Sequence, residues 1–204
     1  MSNQKIFKMS CLAIFTALIF ILVFTGIGYI PIGIGFTLTI LTLPLAVGAV
    51  TFGANAGAYL GFVFGLTSLM TCLLAMDQMG VWLWAISPLR CIFTCIVPRV
   101  MAGYLCGKIF EVLSKICKSK ANIIAHIVAN ASAALLNTIF FLSALWLFYG
   151  RHEAVTYYTD GSSNLFVVIV VFGGVQALIE IASNIIIGTA ITKTLEVVKR
   201  KMNL

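Results

Sequence analysis

Charged residues are scarce in this chain of 204 residues, where they make up 9% of the sequence and include 6 acids. A soluble domain of this length needs more polar surface to face water. Hydrophobic residues make up 61%, and the mean hydropathy is +1.10. We therefore expect a single membrane domain that covers residues 1–204, without room for a second globular domain.

Motifs for catalysis and nucleotide binding are absent as well. The sequence contains no H-E-x-x-H motif and no G-x-x-x-x-G-K-[ST] phosphate-binding loop. Glu180 is the only acid deep inside an apolar stretch, so the paired carboxylates of an intramembrane aspartyl protease are missing. A Ser/His/Asp set needs a positioned histidine, but His152 lies in a predicted loop and His126 near the predicted inner face. We expect a protein that is not an enzyme and that uses no cofactor.

The cysteines form no C-x-x-C motif, and all 6 of them lie in or beside apolar stretches. Cys91 and Cys95 share a helical face, but a buried cysteine usually packs as a small hydrophobic residue. Since no pair of histidines accompanies them, we predict no metal site.

What the chain does contain is a series of long apolar stretches. No water pairs backbone groups in a bilayer core, so each stretch is predicted to be an α-helix. The predicted helices are Met9–Ile30, Phe36–Thr51, Ala54–Leu74, Leu89–Phe110, Asn122–Tyr149 and Leu165–Ile191. The second is short and contains Pro44, so we expect a kink or an incomplete span. The expected fold is an all-α membrane protein, a bundle of six transmembrane helices.

Basic residues are distributed unevenly over the two sides of this predicted bundle. All the lysines and Arg200 fall on the side of the termini, whereas Arg90 and Arg151 fall on the other side. Cytoplasmic loops carry an excess of Lys and Arg, so both termini are expected to be cytoplasmic. Because orientation explains the net charge of +7, we expect a lipid bilayer and no nucleic acid as a partner.

The loops on the predicted outer side are rich in glycine, proline and aromatic residues. Trp82 and Trp84 lie in one of them, Ala75–Pro88. Tryptophans are ordinary anchors at a membrane interface. The alternative is that these loops form the wall or the lid of a pocket.

Small residues recur every four positions in two of the predicted helices. A row of glycines begins directly before the third helix and continues along it, at Gly53, Gly57, Gly61 and Gly65. Such a row lets another helix approach closely, and we expect it to pack within the bundle. The first helix contains Ala13 and Ala17, whose partner is either a helix of this chain or a second protein.

Arg99 lies deep in the fourth predicted helix, directly after Pro98. A charge at this depth faces the interior of a bundle or a water-filled cavity. Proline leaves a backbone carbonyl one turn earlier without its usual donor, and Arg99 or a ligand can use that carbonyl. Arg99 is either the anchor for an anionic solute or the partner of Glu180, and the two roles are compatible.

The last two predicted helices each carry polar side chains along one face. They are Asn130 and Asn137, seven residues apart, and Gln176, Glu180 and Asn184, spaced by four. This pattern predicts interhelical hydrogen bonds or a solute cavity, and the number of polar groups favours the cavity. Arg90, at the outer end of the fourth helix, either snorkels to the headgroups or attracts an anion.

The stretch from Pro31 to Leu69 resembles a known family. It combines an extended, Gly/Pro-rich first outer loop with L-P-x-x-x-G-A-x-x-F-G-x-x-x-G-A-x-x-G-x-x-x-G. Further support comes from V-P-R-V-M-A-G at Val97–Gly103 and from a short basic tail after the last helix. In these features the chain is similar to the substrate-binding S components of energy-coupling factor (ECF) transporters.

This resemblance implies a multi-pass protein of the bacterial cell membrane that captures a vitamin-like small molecule at the outer face. It also implies a transmembrane coupling protein and two ATP-binding subunits as partners, which drive delivery inward. Ala13 and Ala17 match the family's A-x-x-x-A, which faces the coupling protein. The alternative class is a small membrane enzyme or an accessory membrane scaffold.

The Pro-Arg pair and Asn137-Thr138 resemble pantothenate carriers most, while riboflavin and folate carriers share the broad fold and remain alternatives. Arg99 then suits the carboxylate of the vitamin, because a guanidinium binds it with two parallel hydrogen bonds. Asn130 and Asn137 suit its hydroxyl and amide groups. The further candidates for substrate binding are Gln176, Trp82, Trp84, Arg90 and Thr37.

Overall fold

The computed structural model describes residues 3–33, 36–76, 78–116, 123–150, 152 and 164–202. Its helices are α1 (Asn3–Phe24), α2 (Thr42–Phe52), α3 (Ala54–Leu73), α4 (Gln78–Ile86), α5 (Pro88–Ile116), α6 (Ile123–Tyr149), α7 (Leu165–Ser183) and α8 (Thr189–Lys201). A π-helical turn at Asn184–Gly188 joins α7 to α8. An antiparallel hairpin of β1 (Tyr29–Gly33) and β2 (Phe36–Thr39) lies between α1 and α2.

Several helices have the length and composition of membrane spans. Within the described residues these are Gln4–Phe24, Ala54–Leu73, Pro88–Ile116, Ile123–Tyr149 and Gln176–Lys201. Helix α2 is also apolar but has 11 residues, a length of about 16 Å, or roughly half of a hydrocarbon core. The all-α class and the multi-pass membrane location are thus confirmed, whereas six crossings and cytoplasmic termini stay predictions.

The segment Phe36–Thr51, which we predicted as one helix, divides into two elements. Residues 36–39 form β2, which pairs with β1 from Tyr29↔Thr39 to Gly33↔Phe36, and α2 begins at Thr42. The prediction that residues 36–41 are helical was therefore wrong. The strand pairing satisfies backbone groups that a helix would otherwise satisfy internally. Pro44 lies in the first turn of α2. Backbone N–H groups there have no intrahelical acceptor, so proline removes no hydrogen bond of the helix.

Helix α4 lies in a segment that we predicted as a loop. Tyr149, at the end of α6, is buried beneath it and donates its hydroxyl to the carbonyls of Leu83 (3.2 Å) and Ser87 (3.3 Å). Thr39 of the hairpin and Met79 of α4 line the same cavity. The hairpin and α4 therefore lie at the same end of the bundle, which we call the hairpin end.

The glycine row of α3 packs against α5 inside the bundle, as predicted. A Cβ atom on Gly57 would overlap the backbone of Gly103, and one on Gly61 would overlap the carbonyl of Arg99. A Cβ atom on Gly65 would lie 2.8 Å from the Cα atom of Ile96. Because α3 and α5 approach so closely, the backbone around Arg99 rests directly on α3.

Among the described residues, buried apolar side chains form two clusters. The first joins α1, α2 and α3, with Ile19, Leu45 and Phe64 among its members. The second lies at the hairpin end and includes Leu142 and Tyr149 of α6. Phe64 and Leu142 both line one cavity, so the candidate site lies where the two clusters meet.

At the opposite end, two lysines hold the last turn of α2. The Nζ atom of Lys199 donates to the carbonyl of Thr51 at 2.7 Å, and that of Lys8 donates to the carbonyl of Phe52 at 3.2 Å. These carbonyls are among those that a helix end leaves without an intrahelical donor. The contacts attach α1 and α8 to the short buried helix.

Candidate functional site

A cavity of about 340 Å³ lies among the helices at the hairpin end. This volume is at the lower end of the roughly 300–1,000 Å³ that is common for small-molecule sites. Apolar side chains form most of its wall. The polar residues in the wall are Thr39, Ser68, Thr71, Arg99, Asn137, Thr138, Gln176 and Glu180. The cavity therefore suits a small ligand that is held at a few polar points.

Arg99 supplies the positive charge of this cavity and is only 7% exposed. One of its η nitrogens donates to the carbonyl of Thr94 at 2.7 Å. Thr94 precedes Pro98 by four residues, so this is the carbonyl that the proline leaves without a helical donor. Of the two partners that we expected for this carbonyl, Arg99 or a ligand, the structure shows Arg99.

The rest of the Arg99 guanidinium lies between aromatic rings. Its central carbon is 4.3 Å from the ring centroid of Phe141 and 5.5 Å from that of Phe64. Among the described residues, its Nε atom has no hydrogen-bond partner. A buried N–H without a partner is costly, so Nε is an unsatisfied donor in a residue that lines the cavity.

Glu180 supplies a carboxylate to the same cavity and is 1% exposed. Its Oε1 atom accepts from the backbone N–H of Thr39 at 2.9 Å and from the Gln176 amide at 3.2 Å. The ion pairs of the described residues do not include one between Glu180 and Arg99, so the direct pairing that we considered is not formed. Glu180 instead connects β2 to α7.

Asn137 adds an acceptor to the cavity. Its side chain is buried, and its Oδ1 atom has no partner among the described residues. Leaving such an atom unpaired costs about 1–3 kcal/mol, which a hydroxyl or amide donor of a ligand would offset. Arg99 and Asn137, which line the same cavity, thus each contain one buried polar atom without a partner among the described residues.

Asn130, the other predicted amide on α6, does not line the cavity. It is fully buried, and its Nδ2 atom donates to the carbonyl of His126 at 2.8 Å and to the hydroxyl of Thr192 at 3.4 Å. A spacing of seven residues moves a side chain about 10 Å along a helix axis, which accounts for the difference from Asn137. Here Asn130 joins α6 to α8, and its role in substrate binding stays a prediction.

Three of the remaining candidates, Arg90, Trp82 and Trp84, lie outside the cavity wall. Arg90 is exposed and donates to the carbonyl of Phe148 at 3.3 Å. Trp84 packs against the apolar cluster of the hairpin end, and neither it nor Trp82 lines the cavity. Thr37 belongs to β2, and its side chain lies outside the described residues. Substrate binding by these residues stays a prediction, whereas Arg99, Asn137 and Gln176 share one cavity.

Sequence analysis did not select several residues that line the cavity. Ser68 and Thr71 lie three residues apart on the face of α3 beside the glycine row, and Phe141 follows Asn137 by one helical turn. The spacing of the two hydroxyls was the available signal. It was weak because such hydroxyls commonly bond within their own helix, as Thr71 does to the carbonyl of Ser68 at 2.8 Å.

These features define a class, a membrane-embedded protein with a small cavity lined by the buried guanidinium of Arg99. The family model for the ECF transporter, substrate-specific component, matches residues 7–192, and the chain belongs to this family. Members of the family are substrate-binding components of transporters and do not form a class of enzymes. Membership of this family implies that the chain binds a small-molecule substrate and is inserted in a membrane.

A relative of known name adds a second comparison. The chain is 30% identical over 115 residues to the pantothenate transporter PanT of Leuconostoc mesenteroides subsp. mesenteroides. The match covers 54% of this chain and 54% of the relative, so it spans about half the length of that protein.

Proposed function

We propose that this chain is the S component that captures pantothenate at the outer face of a bacterial cell membrane. The observation that carries the proposal is the buried guanidinium of Arg99, whose Nε faces no partner in the described structure although Arg99 lines the cavity. Pantothenate carries a carboxylate, an amide and hydroxyl groups on a short branched chain. This chemistry matches a cationic donor, a nearby amide and an apolar wall.

In the proposed complex, Nε and an η nitrogen of Arg99 bind the carboxylate through parallel hydrogen bonds. The unpaired Oδ1 atom of Asn137 accepts from a hydroxyl or from the amide N–H. Gln176 and Glu180 bond to each other on the α7 side of the cavity and offer further partners to the hydroxyls.

Three observations favour pantothenate over riboflavin or folate. The cavity, at about 340 Å³, is small for a pocket that holds a larger molecule. Trp82 and Trp84, the residues that we expected beside a flat ring, lie outside its wall. The named relative is a pantothenate transporter.

Equilibrium binding to the purified chain in lipid nanodiscs tests this proposal. Pantothenate should bind more tightly than riboflavin or folate. It should also bind roughly 10- to 100-fold more tightly than its alcohol analogue, pantothenol, because a hydrogen bond to a charged group contributes that much to affinity. Arg99→Gln should remove the preference for the carboxylate over the alcohol. The matched control is Arg200→Gln, an exposed arginine of α8 that does not line the cavity, which should keep that preference. Absence of pantothenate binding, or an unchanged preference in Arg99→Gln, would refute the proposal.

We also propose that delivery inward requires a transmembrane coupling protein and two ATP-binding subunits, which dock on Ala13 and Ala17 while both termini face the cytoplasm. Helix α1 is the least buried of the long apolar helices in the described chain. Phe15 and Ile19 pack into the core, whereas Ala13 and Ala17 are exposed. Small side chains on an exposed apolar helix permit close packing against a partner helix.

A further inference from the structure

Three cysteines from two helices meet beside the cavity. Cys91 and Cys95 lie one turn apart on α5, and Cys72 belongs to α3. Their Sγ atoms all lie within 4.8 Å of one another, and those of Cys72 and Cys95 are 3.9 Å apart. All three side chains are buried. The close packing of α3 on α5 produces this cluster.

The spacing of the sulfur atoms fits a metal ion. Zinc–thiolate bonds are about 2.3 Å long, so sulfur ligands of one zinc ion lie about 3.8–4.0 Å apart in tetrahedral or trigonal geometry. A triangle with sides of 4.8 Å, the upper limit here, would need each sulfur to move inward by about 0.5 Å to reach that bond length. A small change in side-chain torsion provides such a movement.

Although the sequence alone led us to predict no metal site, we propose that Cys72, Cys91 and Cys95 form a binding site for a thiophilic divalent ion of the zinc type. Binding forms three metal–sulfur bonds and breaks three S–H bonds, and the three protons pass to solvent. Thiolates are the soft ligands that such ions prefer over the harder magnesium and calcium ions.

The surroundings compensate for the change in charge. Three thiolates and a divalent ion carry a net charge of −1, which is unfavourable in a buried position without a partner. Arg99 follows Cys95 by four residues, one helical turn further along α5, and lines the same cavity as Cys72 and Cys95. Its guanidinium places the opposite charge beside the site.

The hydrogen bonds of the cluster also permit loss of the thiol protons. The Sγ atom of Cys72 donates to the carbonyl of Ser68 at 3.2 Å. The hydroxyl of Thr71 donates to the same carbonyl at 2.8 Å. When Cys72 becomes a thiolate, the Ser68 carbonyl therefore keeps a donor, and no buried acceptor is left unpaired.

The cluster leaves room for a fourth ligand. Cys72 and Cys95 line the cavity, while Cys91 lies behind them with no exposed surface. Zinc sites with three protein ligands keep one position open to water or to another oxygen ligand. That position would face the cavity. Metal binding itself requires no vitamin, so this proposal stands or fails independently of the pantothenate proposal.

Titration of the reduced, full-length chain in nanodiscs with Cd²⁺ and Zn²⁺ tests the site. We expect one ion per chain and, with Cd²⁺, an ultraviolet thiolate-to-metal absorption band whose intensity corresponds to three sulfurs. Cys72→Ser, Cys91→Ser and Cys95→Ser should each weaken binding at least tenfold. Cys106→Ser is the matched control, because Cys106 is fully buried but donates to the carbonyl of Ala129 outside the cluster, and it should bind like the parent chain.

Two results would overturn the proposal. The first is the absence of a thiolate band in the parent chain, a reading that needs no variant to fold. The second is binding of Cu⁺ without binding of Zn²⁺ or Cd²⁺, which would assign the cluster to a monovalent ion. Thermal unfolding without metal shows whether each variant folds. Added Zn²⁺ should then raise the unfolding temperature of the parent chain and of Cys106→Ser, but not that of Cys72→Ser.

Discussion

The guanidinium of Arg99 donates to the carbonyl of Thr94 over 2.7 Å. In an uninterrupted helix that carbonyl would accept from the backbone N–H of residue 98, but Pro98 has none. A single proline thus provides a backbone anchor for the residue that follows it. The anchor holds the cation on the cavity wall without an ion pair to a carboxylate of the described residues.

Replacement of the proline tests this arrangement. In Pro98→Ala, the new backbone N–H can donate to Thr94 and compete with the guanidinium of Arg99. We expect pantothenate affinity to fall roughly 3- to 10-fold, corresponding to about 1 kcal/mol, in isothermal titration calorimetry. The control is Pro88→Ala, because Pro88 is the first residue of α5 and leaves no carbonyl of that helix without a donor. Equal affinities in both variants would contradict the role of the proline.

The contact of α3 with α5 sets the position of the Arg99 backbone. A methyl group at Gly61 would overlap the Arg99 carbonyl, so Gly61→Ala should lower stability by about 1–3 kcal/mol, as overpacking does. It should also weaken pantothenate binding. Gly174→Ala is the control, since a Cβ atom there meets nothing within 4 Å and helix propensity favours alanine. Thermal unfolding in detergent measures the stability of both variants. A Gly61→Ala chain as stable as its parent would disprove the close contact.

Glu180 tethers the hairpin through the backbone N–H of Thr39. Glu180→Ala removes this acceptor, and we expect hydrogen exchange at the Thr39 amide to become roughly tenfold faster, about 1.4 kcal/mol of lost protection. Glu111→Ala is a fitting comparison, because Glu111 accepts from the Ala54 backbone at 3.4 Å instead of from the hairpin. Exchange at Thr39 that is equally slow in both variants would show that the tether does not hold the strand.

Docking on α1 makes a prediction that separates binding from transport. Ala13→Trp and Ala17→Trp should leave pantothenate affinity of the isolated chain unchanged, because both positions lie on an exposed face. Cellular uptake of labelled pantothenate, with the coupling subunits present, should be lost, because a bulky side chain prevents close helix packing. Ala182→Trp, at an exposed alanine of α7, should transport normally. Normal uptake in the Ala13 and Ala17 variants would rule out this docking face.

Sequence patterns predicted the local features of the fold well. All the predicted apolar segments except the second overlap a long helix of the structure, and the glycine row of α3 packs inside the bundle. The use of the Thr94 carbonyl by Arg99 was also predictable, because proline and arginine are neighbours and the effect acts within one helical turn. Each of these features depends on residues that are close in sequence.

The hairpin shows where sequence patterns were insufficient. The apolar run from Phe36 to Thr51 is compatible with a helix or a strand, and only the pairing of β2 with β1 distinguishes them for residues 36–39. The same limit applies to the polar residues of α6. Asn130 and Asn137 share a helical face, yet only Asn137 lines the cavity.

By itself, the sequence determined that this chain resides in a membrane, that its backbone is mainly helical and that a cation lies deep inside it, because hydropathy and backbone pairing act along the chain. Only the tertiary structure decided which side chains share a space. Arg99, Asn137 and Glu180 come from three helices, and Cys72 meets Cys95 from a different helix. Contacts between side chains of different helices depend on how the helices are rotated and how they pack. The separation of two residues in sequence specifies neither the rotation nor the packing.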